Sequence, residues 1–186
     1  MTQKNPLNGI NVEQMFSAIE FFKNQPALAK FKFRATNKWI GGTHNQATVK
    51  DFYGAGQEDV SREAMMFDLD EPPRLCGNNL GANPVEYLLV ALSGCLTTAM
   101  IAHATAKGIE IRSVESKYEG DLDLRGFLGI SPDAEVGYEQ IRVFFKIDAD
   151  ISVDQKEELV RMAQKYSPVF HSLTKQTPVL VQLERS

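Results

Sequence analysis

The stretch NPVEYLLVALSGCLTTAMIAHATAKGI, residues 83–109, decides the fold. It opens as a helix does: Asn83 can cap, Pro84 suits the first turn, and Glu86 can reach back from the third position near the positive end of the dipole. It closes as a helix does, with Lys107 in the last turn and Gly108 free to turn left-handed. The helix between them is predicted to be apolar nearly all round and therefore buried on most faces. One stripe, Ala91, Gly94, Cys95, Thr98, Ala99 and Ala102, follows helical spacing and holds only small side chains. Beside it Leu89, Leu92, Leu96 and Met100 form a bulky stripe suited to a sheet-lined core. A seam of small residues lets another backbone approach, and the chain offers no second apolar helix of similar length. The predicted partner is the same helix of a second copy, across a two-fold axis.

Cys95 raises the chemical question. It stands twelve residues beyond Asn83, roughly 18 Å along the helix, outside the turn where the dipole acts. A free cysteine is only a few per cent thiolate at neutral pH, and apolar burial lowers that further. Within the helix, Glu86 is on the opposite face and His103 lies about 12 Å along the axis. On spacing alone Cys95 reads as a structural thiol.

The rest of the chain bounds the possibilities. With 186 residues, one domain is expected over 1–186, with 1–27 as an N-terminal helical extension. A net charge of −4 and a pI near 5.4 leave no footprint for nucleic acid or an anionic membrane. The start, MTQKNPLNGINVEQ, has no secretory pattern, and a cytoplasmic protein is expected. The uncharged run Tyr87–Ala102 is shorter than the ~20 residues needed to span a bilayer. Cys76 and Cys95 form no CxxC and no disulfide framework.

Local patterns give the element order. NVEQMFSAIEFFKN is an amphipathic helix with Asn11 as cap, and Leu28–Ile40 reads as a strand entering a hairpin through GGTHN, whose partner starts near Gln46. AMMFDLDEPP is a short strand stopped by prolines. IEIRSVESKYEGDLDL and GYEQIRVFFKIDADI are two long strands expected to pair. SVDQKEELVRMAQKY opens with the capping-box spacing of Ser152 and Gln155, and Ser167 with Pro168 starts another helix. TPVLVQLE is predicted to end the chain as a strand. The fold class is α+β, with sheet packed on helices.

This combination resembles the OsmC/Ohr family over roughly residues 30–183: the Asn-Pro helix start, the mid-helix cysteine, two strands, a helix, an SPV turn and a final TPV strand. The resemblance implies an OsmC-like fold, two sheets wrapped around long central helices in an intertwined homodimer. It also implies a thiol-dependent reductase of organic hydroperoxides, with a small thiol as reductant. Cys95 matches the cysteine that attacks peroxide. The resolving position holds Ser167, which cannot form a disulfide. The activating arginine would follow the Gly41–Gly42 pair, where Thr43 and His44 stand, and the orienting glutamate would occupy Val85, with Glu86 one position late. His44 and Glu86 are thus the polar helpers to weigh, since Lys or His does not equal a planar, always-charged guanidinium. Cys76 could resolve only if it came within ~7 Å, Cα to Cα. The alternative is a non-catalytic OsmC-like dimer that binds a small apolar molecule, with Cys95 as filler.

Other chemistries find little support. His44, His103 and His171 have no HExxH or HxH spacing, so no metal is expected, and each reads as a surface or helix-end residue. Asp68, Asp70 and Glu71, and likewise Asp121 and Asp123, lack calcium-loop spacing and read as solvated strand ends. GGTHN and YGAGQ lack the order of phosphate-binding loops, and no nucleotide cofactor is expected.

Overall fold

A computed structural model of the chain describes residues 5–184. They form an α+β protein with two compact units, one running from Asn11 to Leu88, the other joining the chain up to Ile10 with that from Leu89 onward.

The Leu89-onward unit is built on α2 (Pro84–Ala106), whose last turn leads to Gly108 at φ 72°. Leu92, Leu96, Met100 and Ala104 are buried in one cluster with Leu159 and Ala163 of α4 (Val153–Tyr166). Around them pack Val114 and Tyr118 of β7 (Ile111–Leu122) and Ile141, Val143, Phe145 and Ile147 of β8 (Tyr138–Ala149). These strands pair antiparallel, Val114 opposite Ile147 and Tyr118 opposite Val143, with an irregularity at Ile111–Ser113. The outward positions carry cross-strand pairs such as Glu115 with Lys146 and Asp121 with Arg142. α3 (Leu124–Phe127) interrupts the connection between the strands. The predicted capping box of Ser152 and Gln155 is formed, and Ser167 caps α5 (Pro168–Thr174).

Three expectations are corrected here. α2 is not buried on most faces: Val90 is 58% exposed, and Ala91, Gly94 and Thr98 are exposed beside it. By length and composition alone this helix could cross a bilayer, yet its bulky stripe is the core just described. The terminal TPVLVQLE forms no strand, since a strand needs a ladder partner and none is engaged by these residues. Val179, Leu180, Val181 and Leu183 are accordingly at least 80% exposed.

The Asn11–Leu88 unit begins with α1 (Val12–Asn24), capped by Asn11 as predicted. The expected single strand Leu28–Ile40 is the third correction. A 3₁₀ turn occupies Pro26–Ala29, and the chain then divides between β1 (Lys32–Phe33) and β2 (Thr36–Gly41), which join different sheets. β2 pairs with β3 (His44–Val49) through the Gly-Gly hairpin. β3 pairs in turn with β6 (Met65–Leu69). β1 pairs with β4 (Phe52–Gly54), and β4 with β5 (Gln57–Asp59), around a turn in which Ala55 and Gly56 both have positive φ. This hairpin was absent from the sequence reading.

Two polar devices, one half-buried and one buried, hold the units together internally. Asn8, at φ 52°, donates through Nδ2 to Thr105 Oγ1 (3.0 Å) and the Ile109 carbonyl (2.8 Å), while its Oδ1 accepts from the Ile111 amide (2.8 Å). It thereby ties the N-terminal segment to the end of α2 and the start of β7. The second device is Asp70, which is buried rather than solvated as the sequence suggested. Its carboxylate accepts from the Thr43 hydroxyl (2.6 Å) and from the amides of Glu71, Asn78 and Leu80. This wraps the 70–83 loop around one anion. The tightness explains Gly77 and Gly81, where a Cβ would meet the Glu71 and Asp68 carbonyl oxygens at 1.7 and 1.9 Å. The Thr43 hydroxyl above all, then the three amides, holds the Asp70 carboxyl far below the usual carboxylate range, against the opposing effect of burial.

Two outcomes follow from these contacts. Asn8→Ala strands a backbone donor, a carbonyl and a hydroxyl, and is expected to lower the unfolding free energy by roughly 2–3 kcal/mol; a fall in urea midpoint at constant slope measures it. For Asp70, a carboxyl depressed in the folded state stabilises above the unfolded value near ~3.9, and the contribution is lost as pH falls below it. Asp70→Asn should therefore be less stable than the parent at neutral pH and show a flatter loss of stability below about pH 4. Equal acid limbs for the two proteins would remove Asp70 from that role.

Candidate functional site

Cys95 lies near the middle of α2, half-buried, next to the exposed Gly94 on the small-residue side of the helix. It is not part of the cluster formed by Leu92, Leu96 and Met100. The sulfur is thus off the core stripe of the single chain. Among the described residues, no hydrogen bond or ion pair engages it. A Cβ placed on Gly94 would meet nothing within 4 Å, so the seam is open in the single chain.

Each of the other sequence-predicted groups has a local engagement. Glu86 accepts the Asn83 amide (2.8 Å), and Asn83 Oδ1 accepts from the Val85 amide (2.9 Å), which together form the predicted N-terminal cap of α2. Asn83 Nδ2 also donates to Glu71. Ser167 is fully buried, and its hydroxyl oxygen accepts from the Phe170 amide (3.1 Å) to cap α5. His44 Nε2 lies 2.9 Å from Asp68 Oδ1, and Gln46 Nε2 donates to the same oxygen at 3.1 Å. His44, first, and Gln46 hold the Asp68 carboxyl below its ordinary range. Thr43, which follows the Gly41–Gly42 pair, donates to Asp70. His44 and Glu86 belong to the Asn11–Leu88 unit, whereas Cys95 and Ser167 belong to the other. Cys76 is exposed, in a left-handed turn at φ 65°. The structure shows no contact that makes it a resolver for Cys95.

The sequence does not show the partners of Asp68 and His103, nor the enclosure of Tyr118. Asp68 serves as the partner of His44 and, through its carbonyl, accepts the Tyr87 hydroxyl (3.0 Å). Only the β3–β6 pairing, which sets Gln46 opposite Asp68, brings these together. Tyr118 places its hydroxyl in an enclosed position on the inner face of β7. Burial raises its pKa, with the Ser116 and Thr97 hydroxyls opposing the shift. Alternation along β7 was the available signal, but the irregularity at Ile111–Ser113 shifts its phase. His103 stacks on Tyr166 with ring centroids 4.1 Å apart; burial, then the charge of Lys107, lowers its pKa. Among the described residues, no three His, Cys, Asp or Glu side chains gather as metal ligands.

Comparison with known proteins places this arrangement. The model of OsmC-like proteins matches residues 77–182, more than half of the chain. The fold is shared with an OsmC-like protein from Mycoplasma pneumoniae at TM-score 0.60 and 19% identity, over 77% of this chain and 87% of that one. An OsmC-like protein from Vibrio cholerae aligns at TM-score 0.57 and 11% identity, over 76% and 92% of the two chains. An organic hydroperoxide resistance protein OsmC from Legionella pneumophila aligns at TM-score 0.50 and 18% identity, over 75% and 88%. No curated protein matches the chain. With its capped central helix, mid-helix cysteine and paired β7–β8 strands, the chain belongs to the OsmC-like family.

Proposed function

We propose that this protein is a homodimeric thiol-dependent reductase of organic hydroperoxides in which Cys95 acts without a resolving cysteine. The observation that carries the reading is the placement of Cys95 off the core stripe, half-buried, on the open side of α2. A sulfur whose only role was to fill space would belong with Leu92, Leu96 and Met100. The name of the Legionella relative, an organic hydroperoxide resistance protein, supplies the substrate class.

The chemistry balances with an external thiol. The Cys95 thiolate attacks the distal peroxide oxygen, the O–O bond breaks, and the alkoxide leaves as alcohol after taking a proton. Sulfur is oxidised by two electrons to sulfenic acid. One reductant thiol condenses with it, releasing water, and a second displaces the mixed disulfide, returning Cys95 and leaving the reductant oxidised. Ser167 contributes a helix cap and no sulfur, so both reducing equivalents come from outside the chain.

Dimerisation is part of the same reading. Ala91, Gly94 and Thr98 form an exposed small-residue seam, and the apolar side chains of residues 179–183 lack cover in the single chain. Both features fit a second copy that packs on the seam and covers the terminal segment. A specific observation favours the alternative, an OsmC-like dimer that binds a small apolar molecule without catalysis: Glu86, His44 and Thr43 are all engaged in local hydrogen bonds.

Two measurements test these points. After exposure to organic hydroperoxide, a dione reagent is expected to trap sulfenic acid at Cys95, and Cys95→Ser is expected to abolish peroxide consumption in excess dithiol. Absence of both adduct and turnover selects the alternative. For assembly, sedimentation at micromolar concentration should give twice the 20.8 kDa chain mass. A Cβ at Gly94 meets no atom within 4 Å, so Gly94→Leu should leave the fold intact yet weaken the dimer by about tenfold or more, as a bulky group in a close helix contact does. A parent protein sedimenting only as monomer would dispose of the interface.

A further inference from the structure

The small β1–β4–β5 sheet has two chemically different faces. Alternation from Lys30 to Arg34 puts Phe31 and Phe33 on one side, where they stack with Phe52 at centroid distances of 5.6 to 6.3 Å. On the other side the register sets Lys32 opposite Tyr53 and Tyr53 opposite Glu58, a row across all three strands. A cavity of about 250 Å³ lies there, lined by Lys30, Phe31, Lys32, Arg34, Tyr53 and Glu58. From this we infer that the face is a binding site for a small phosphate monoester carried on one planar ring.

Charge accounting points to a dianion. The lining holds three cations and one carboxylate, in a chain whose net charge is −4. Arg34 grips Glu58 through both guanidinium nitrogens, at 2.7 Å each. That fork neutralises the carboxylate and leaves the Lys30 and Lys32 ammoniums, neither in an ion pair among the described residues. Two ammoniums outside any ion pair thus line one cavity. A phosphate monoester carries nearly two negative charges at neutral pH, whereas a carboxylate carries one.

Size and wall chemistry define the rest of the ligand. The cavity is below the roughly 300–1,000 Å³ of ordinary ligand pockets, which leaves room for one ring and one anion. Tyr53 offers aromatic surface to the ring. Among the described residues, the Tyr53 hydroxyl makes no hydrogen bond to protein, so it is free to donate to a phosphate oxygen. On the opposite face Gly54 makes room for the Phe31 ring, which a Cβ there would strike at 2.2 Å. The inference does not depend on Cys95 or on peroxide chemistry.

The test is a titration of the full-length protein in low salt, followed by amide NMR shifts, with phenyl phosphate, benzoate, inorganic phosphate and phenol as probes. Phenyl phosphate should bind saturably in the millimolar range, with shifts confined to residues 30–34, 53 and 58. Benzoate, inorganic phosphate and phenol should each bind at least about fivefold more weakly, because each lacks one charge or the ring. Lys30→Gln with Lys32→Gln should weaken phenyl phosphate about tenfold, and Glu58→Gln, which frees the Arg34 fork, should strengthen it. Equal binding of inorganic and phenyl phosphate would reduce the site to unspecific attraction and overturn the inference. So would an unchanged affinity in the double variant, or no shift at these amides up to about 10 mM ligand.

Discussion

The rotational setting of α2 is the constraint on which the rest depends. Leu92, Leu96 and Met100 are locked between the inner faces of β7 and β8 and the apolar side of α4, where Leu159 and Ala163 complete the cluster. A helix advances about 100° per residue, so fixing that stripe fixes every other direction around the axis. Ala91, Gly94 and Thr98 are turned out of the core, and Cys95 stands at the border between the two environments. The half-exposure of the thiol is thus a consequence of how leucines and a methionine pack, not of any group that touches the sulfur. Even one extra residue between Leu92 and Leu96 would exchange the roles of the stripes.

Polar clamps at the ends of α2 preserve that setting. At its start, Asn83 and Glu86 satisfy amides that the first turn leaves unpaired, and the loop leading into them is wound on the Asp70 carboxylate. Near its end, Thr105 bonds both the Ile101 carbonyl and the Asn8 side chain. Other residues follow the same economy of contacts. Thr43 donates to Asp70, Glu86 caps α2, and Ser167 caps α5, each through a hydrogen bond that the fold uses. Such bonds contribute on the order of 1 kcal/mol apiece, enough to retain these residues on structural grounds alone.

What could be read from the sequence follows the range of the forces involved. Caps at Asn11, Asn83, Ser152 and Ser167, the stop at Gly108 and the β7–β8 pair were legible, because a few neighbouring residues determine them. Asn8 was not, since its partners lie about 100 positions away, nor was Asp70, whose hydroxyl partner Thr43 is 27 positions away and whose loop amides carry no side-chain mark. The β4–β5 hairpin was missed because its strands have three residues each, too short for alternation to register, and its turn places Ala55 at positive φ where Gly or Asn is the usual cue. The final segment was read as a strand from its Val and Leu content. Composition supplies propensity but no ladder partner, and without one the backbone of residues 177–184 stays outside any sheet.

The same distinction governs the thiol. Its position in the helix is legible, but its reactivity depends on which charges approach the sulfur, and in the proposed dimer these would come from the second copy. A cysteine with no cation nearby is a few per cent thiolate at neutral pH, and closing a hydrophobic seam over it would lower that fraction unless the closing surface brought positive charge. In the proposed dimer, assembly and reactivity are coupled at Cys95: packing that shielded Gly94 and Thr98 would also set the dielectric around the neighbouring sulfur. A second copy that covered the seam with hydrocarbon alone would make Cys95 inert, whereas one that delivered a guanidinium or ammonium would activate it. The chemistry of this chain thus turns on what faces the open side of α2, more than on the identity of any residue within that helix.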